Sequence, residues 1–288
     1  GTLRRDASSR FGNGNNSAIF PSVSAGWRIS RENFMETTSN WLSDLKLRAS
    51  WGINGNDMID NSATYSLYYV DMNTGSYNFS GDGKTLSPGV IKTMSGNNNL
   101  KWEQTEQFNI GIDAAFLDNR LGVTMDYFKK KTKDMLIQKP YIAAIGEGGY
   151  KWYNAASMDN NGVEATITWH DKINDFNYEV AFNVSYYHNE ITDLPEEVKY
   201  TWGGGDGISK TIIGQSYGSW MAYKTDGIFR TKEEVYEYLS KYDVQVGEPG
   251  VGRIRYKDLN GDGKINTADR DWMGSDQPKE FERIVERI

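Results

Sequence analysis

The sequence predicts an all-β protein: an antiparallel transmembrane β-barrel segment, open as given, with long extracellular loops and one short loop helix. Three observations predict it. Strands alternate apolar and polar residues over lengths that suit a membrane crossing; short turns alternate with long connections; and aromatic residues, 13% of the chain, accompany only six prolines in 288 residues. Aromatics suit a pleated surface, whereas each proline removes a ladder donor.

The alternating segments come in order. In 22–29, Val23, Ala25, Trp27 and Ile29 alternate with Ser22, Ser24, Gly26 and Arg28. In 45–53, Leu45, Leu47, Ala49, Trp51 and Ile53 share one phase, and 63–69 sets Ala63, Tyr65, Leu67 and Tyr69 on one side. Segment 107–116 carries Phe108, Ile110, Ile112, Ala114 and Phe116; Leu121, Val123, Met125 and Tyr127 follow, then Val163, Ala165, Ile167 and Trp169. The last, 176–187, places Phe176, Tyr178, Val180, Phe182, Val184 and Tyr186 against Asn177, Glu179, Ala181, Asn183, Ser185 and Tyr187. Successive strand side chains point to opposite faces, so every segment has an apolar face and a polar one.

The turns set the direction. Asp118-Asn119 joins 107–116 to the next strand, and 170–175 joins the last pair almost as tightly, whereas 72–100, 138–155 and 190–275 are long and rich in Gly, Asn and Asp. Short turns at one end and long loops at the other, on strands of about 9–13 residues, are the pattern of outer-membrane barrels. A soluble β-sandwich would also alternate. Strand length, turn asymmetry and Trp27, Trp51, Trp169 and Tyr186 near segment ends, where an aromatic girdle belongs, favour the membrane. The expected division is barrel strands over 1–190, a loop region over 191–275 with a helix near 232–241, and an atypical charged tail over 276–288.

Other classes are excluded or disfavoured. A net charge of −7 argues against a nucleic-acid partner. The absence of cysteine removes disulfides, thiolate metal sites and cysteine nucleophiles. No apolar run is long enough for a transmembrane helix, and no secretory signal opens the chain. His170 and His188 are the two histidines, and neither has a second histidine at ligand spacing; Glu196 and Glu197 read as solvated charge, so no enzyme active site is expected. Gly203-Gly204-Gly205 lacks the context of a phosphate loop, and Thr231 with Glu234 reads as the cap of a short surface helix.

The sharpest local motif is 258–269, which fits the calcium loop D-x-[DN]-x-[DN]-G. Calcium takes six to eight hard oxygens. Asp258, Asn260 and Asp262 supply side-chain oxygens, Gly263 permits the sharp turn, Lys264 offers its carbonyl, Asn266 acts directly or through water, and Asp269 closes the shell where Glu is usual, as in dockerin-type loops. The expectation is a structural Ca2+ in an exposed loop; the alternative is an Asx-rich turn without an ion.

Taken together, residues 4–12 (RRDASSRFG), 20–29 (FPSVSAGWRI), 45–52 (LKLRASWG), 100–105 (LKWEQT), 127–134 (YFKKKTKD), 161–164 (NGVE), 223–229 (YKTDGIF) and the 258–269 loop resemble the SusC/RagA family of TonB-linked outer-membrane proteins. The resemblance spans nearly the whole chain, in order. It implies a 22-stranded barrel plugged by an N-terminal domain, importing oligosaccharides or peptides across the outer membrane of a Gram-negative bacterium. It also implies energy delivered through TonB, which would bind the missing N-terminal region, and a SusD-like surface lipoprotein as lid. Signal, TonB box and plug are not in this sequence, so a later part of the barrel is expected; the turn to a charged, helix-like 276–288 suggests truncation or a frameshift. A calcium-stabilised soluble or cell-surface β-rich carbohydrate-binding module is the alternative, and a β-rich glycosidase a distant third.

Overall fold

A computed structural model describes residues 1–12, 14–71, 76–140 and 149–274. The chain divides into two compact units, Gly1–Asp193 and Leu194–Ile288.

The first unit is one nine-stranded sheet. Its strands are β1 (Thr2–Ala7), β2 (Ser17–Arg28), β3 (Leu42–Asn56), β4 (Leu67–Asp71), β5 (Gly89–Ser95), β6 (Glu103–Phe116), β7 (Leu121–Pro140), β8 (Tyr150–Ile173) and β9 (Phe176–Asp193). The main wall runs β1-β2-β3-β6-β7-β8-β9, antiparallel throughout. The β4–β5 hairpin is inserted between β3 and β6 in sequence, and β5 pairs with β8 in parallel through Met94↔Tyr150 and Ser95↔Lys151.

The register lines the alternating residues into rows across the wall. Ala25, Ala49, Ile110, Tyr127, Val163 and Tyr186 form one row; Trp27, Leu47, Ile112, Met125, Ala165 and Val184 form the next. Because a one-residue slip would turn a strand inside out, such continuity fixes one apolar and one polar face. At the short-turn end, three consecutive residues lie in the left-handed region: Leu117 (φ 54°), Asp118 (φ 56°) and Asn119 (φ 65°). Asp and Asn tolerate that region; Leu117 is held there by its amide, which donates to the Trp41 carbonyl at 3.0 Å. Trp41 stacks on Phe116, ring centroids 6.0 Å apart.

Four expectations need correction. Residues 72–100 are not one connection, since β5 (Gly89–Ser95) lies within them. Strands β3, β6, β7, β8 and β9 run 14–24 residues rather than about 9–13. Segment 63–69 is not one strand: β4 begins at Leu67, and residues 61–64 turn so that Ala63 enters the core. Residues 138–155 are not one long loop, since β7 continues to Pro140 and β8 begins at Tyr150. Beyond the lipid-facing rows the β7–β8 register shifts between Thr132 and Met135, and Ile137 and Ala156 are buried, so simple alternation fades while ladder pairing continues. The packed core lies at this end too, where Phe11, Phe20, Ile59, Ala63, Leu100 and Trp102 bury one another, with Phe20 edge-on to Trp102 at 5.5 Å.

The second unit is built from short pairs: β10 (Trp220–Tyr223) with β15 (Arg270–Gly274), β11 (Thr225–Ile228) with β13 (Ile254–Tyr256), and β12 (Asp243–Val244) parallel to β14 (Lys264–Ile265). Helix α1 (Lys232–Lys241) is capped by Thr231, whose Oγ1 accepts from the Glu234 amide at 3.3 Å. It packs Tyr238 against Phe229 and Ile265 to form a small core. The tail reading of 276–288 lies outside the described residues.

Candidate functional site

Three features of the two units could carry function: the apolar face of the wall, its polar face, and the acidic loop.

On the apolar face the stripe is uncovered. Exposure runs from 41% at Tyr127 and Val163 to 72% at Tyr186, with Phe182 and Val180 above 60%. A β-sandwich would bury this stripe beneath a second sheet. Within the first unit the described residues form a single sheet with this stripe exposed, as a lipid-facing stripe would be. Trp27 and Trp51 carry their rings on this face while their indole N–H groups donate to Glu32 (2.8 Å) and Glu106 (2.9 Å), which suits a residue with one end in lipid and one in water.

The polar face is joined by charge. Arg48 on β3 donates through Nε and Nη2 to Asp113 on β6, at 2.7 and 2.9 Å, and through Nη2 to Asp126 on β7 at 3.0 Å. One guanidinium therefore bridges three strands in the fork geometry that only Arg offers. Sequence reading passed over this triad because its members are 65 and 78 positions apart. The available signal was that all three charges fall on the polar phase of their strands.

The loop of 258–269 is closed by its own side chains. Asp258 accepts from the amides of Gly261 (2.7 Å) and Gly263 (2.9 Å); Asn260 Oδ1 accepts from the Asp262 amide, and Asn260 Nδ2 donates to Asp262 Oδ2. Asp262 accepts from the Lys264 amide and Asn266 from the Ala268 amide, both at 2.8 Å. Asp269 is fully buried and ties the two ends of the loop, accepting from Leu259 (2.9 Å) and Asn266 (2.8 Å). Gly263 holds φ 76°, the conformation the motif assigns to glycine. The β12–β14 ladder uses the carbonyls of Gly263 and Ile265, as acceptors for Asp243 and Gln245, which leaves the Lys264 carbonyl on the other side of its strand. Among the described residues no three His, Cys, Asp or Glu side chains gather to hold an ion. His170 and His188 lie on β8 and β9, and the register brings neither opposite the other.

A family model described as "TonB dependent receptor-like, beta-barrel" matches residues 1–275. The TonB-dependent receptor SusC of Bacteroides thetaiotaomicron is 33% identical over 273 residues, covering 93% of this chain and 26% of that protein. TonB-dependent receptor P3 of Formosa agariphila is 32% identical over 292 residues, covering 96% of this chain and 27% of its own length. Among solved structures, one described as the RagAB peptide transporter superposes with TM-score 0.65 at 32% identity, over 79% of this chain and 24% of that one. The chain thus spans about a quarter of the length of the curated relatives it matches. An uncovered apolar stripe, a polar inner face and a match over nearly every residue agree: the chain belongs to the TonB-dependent receptor-like β-barrel family, and within it to the SusC/RagA type.

Proposed function

We propose that this chain is a wall segment of a TonB-dependent importer in the outer membrane of a Gram-negative bacterium. It works with a SusD-like surface lipoprotein and takes up oligosaccharides or peptides. The observation that carries the reading is the row structure of the wall: membrane-facing apolar rows backed by polar rows that line an aqueous interior. The SusC and RagAB similarities support the partner, and the RagAB peptide transporter supports the peptide class; the oligosaccharide class is what the family resemblance implies. No catalysis is assigned, since the relatives are named receptors. The test uses the full-length protein in cells. Uptake of labelled oligosaccharides or peptides that needs both this protein and TonB is the expected result; equal uptake by a deletion strain on every substrate sinks the reading.

We also propose that the 258–269 loop holds a structural Ca2+. The shell would mix Asp258, Asp262 and Asp269, which among the described residues do not gather as one carboxylate cluster, with the Asn260 and Asn266 side chains and the Lys264 carbonyl, whose position off the ladder supports the assignment. Calcium titration calorimetry on the full-length protein and on its Asp262→Ala variant decides. Identical heats, or none in either, remove the ion.

A further inference from the structure

The apolar row of β7 does not end in polar neutral residues. Leu121, Val123, Met125 and Tyr127 face the membrane, and the same phase continues as Lys129, Lys131 and Lys133, all exposed. Register confirms the shared face: Lys129 is opposite Phe108 on β6, two pairs beyond Tyr127↔Ile110.

Height decides what these lysines meet. Lys129 lies eight residues beyond Leu121, roughly 27 Å of strand at about 3.4 Å per residue. On a strand tilted by about 40° this is about 21 Å across the membrane, against an apolar band about 25 Å tall. Lys129 and Lys131 therefore stand at the outer boundary of the band, where the flexible stems carry the ammonium groups outward to headgroup level. Lys133 stands one step higher.

The neighbours leave these charges available. Lys129 has Phe108 on one side and Asn161 on the other. Lys131 lies opposite Glu106 and Asp159, but Glu106 accepts from the Trp51 indole at 2.9 Å on its far side. Lys133 lies opposite Gln104. Among the described residues no ion pair joins any of the three to an acid. Lys130, between them, faces inward, its Nζ 5.0 Å from the Phe128 ring.

We propose that Lys129, Lys131 and Lys133 form a docking row for the phosphate groups of an anionic lipid in the outer leaflet, with Tyr127 and Phe108 against its acyl chains. The proposal rests on the membrane-wall reading above, and extends it to the lipid the wall selects. Each lysine near an anionic membrane surface contributes about 1 kcal/mol, or about fivefold in affinity.

The test places the full-length protein in phosphatidylcholine nanodiscs containing either bisphosphorylated lipid A or its dephosphorylated form, and measures protein-bound lipid by native mass spectrometry. Wild type is expected to retain the phosphorylated lipid at least tenfold better. Lys129→Gln alone is expected to lose about fivefold and the triple Lys→Gln variant nearly all of the preference, while the triple Lys→Arg variant keeps it. No preference in wild type overturns the row without any variant, as does a folded triple Gln variant that retains the lipid undiminished. Failure of wild type to enter nanodiscs at all overturns the membrane-wall reading instead, a separate outcome.

Discussion

Arg48 reaches Asp126 across an intervening strand by passing over Gly111. The pair is separated by β6, and the two groups are 3.0 Å apart. Gly111 is opposite both Arg48 and Asp126 in register, and a Cβ there would collide with the carboxylate of one and the guanidinium of the other.

It follows that Gly111→Val displaces the bridge. The three groups are about one-third exposed, so the ion pairs themselves are modest, and the expected loss is about 1–2 kcal/mol from overpacking together with the broken pair. Unfolding of the full-length protein in detergent by urea measures it. In an Asp126→Asn background the same substitution should cost less; an equal cost would show that the bridge is not what Gly111 accommodates.

The two faces predict opposite outcomes for adjacent residues. Val184 lies in the middle apolar row and Asn183 on the polar face. Val184→Arg should cost about 2–4 kcal/mol of insertion free energy, the range for a cation near the midplane of the lipid face, whereas Asn183→Arg should be tolerated. The folded fraction after refolding into lipid vesicles compares them. Equal losses at both positions would contradict the assignment of faces.

The turn after β6 depends on residues that accept positive φ. Asn119 holds φ 65° with its amide donating to Ser43 Oγ at 3.1 Å. Asn119→Val places a β-branched side chain in the left-handed region and should destabilise by about 1–2 kcal/mol, while Asn119→Gly should be close to neutral. Denaturation midpoints of the two variants, compared with wild type, check the ranking.

In the loop unit, the Tyr238 hydroxyl donates to the Tyr256 carbonyl at 2.6 Å. Burial pushes the Tyr238 phenol up to about 12, helped by the Asp226 charge. An unfolded tyrosine ionises near 10. The folded form thus holds its proton more tightly: the stabilisation is complete below about pH 10 and is lost as pH rises from about 10 to 12. Tyr238→Phe should remove this pH dependence and cost about 1–2 kcal/mol at neutral pH by leaving the carbonyl unpaired. Tyrosinate absorbance followed alongside unfolding tests both; a Tyr238→Phe protein with unchanged alkaline sensitivity would refute the assignment.

Much of the wall was legible because lipid and lumen impose a period of two on every crossing strand. Leu47, Ile112, Met125 and Val184 announce their face from their own segments, and the Asp118-Asn119 turn announces the reversal. The legible part stops where the ladder shifts register and packs against the core. On β7 the register shifts between Thr132 and Met135 and again before Leu136, and Leu136 and Ile137 pack into or against the core, so the continuation to Pro140 carries no simple alternation. Ala63, on the apolar phase of an apparent strand, serves instead in a buried turn.

By itself, then, the sequence determined that these strands are two-faced, antiparallel and joined alternately by short and long connections, since side-chain alternation and turn chemistry act within a few residues. Only the tertiary structure decided which residues share a row. Arg48 with Asp113 and Asp126, and Phe108 beside Lys129, are products of register between strands far apart in the chain. Register is set by the summed burial and pairing of whole strands, a quantity that no single segment contains.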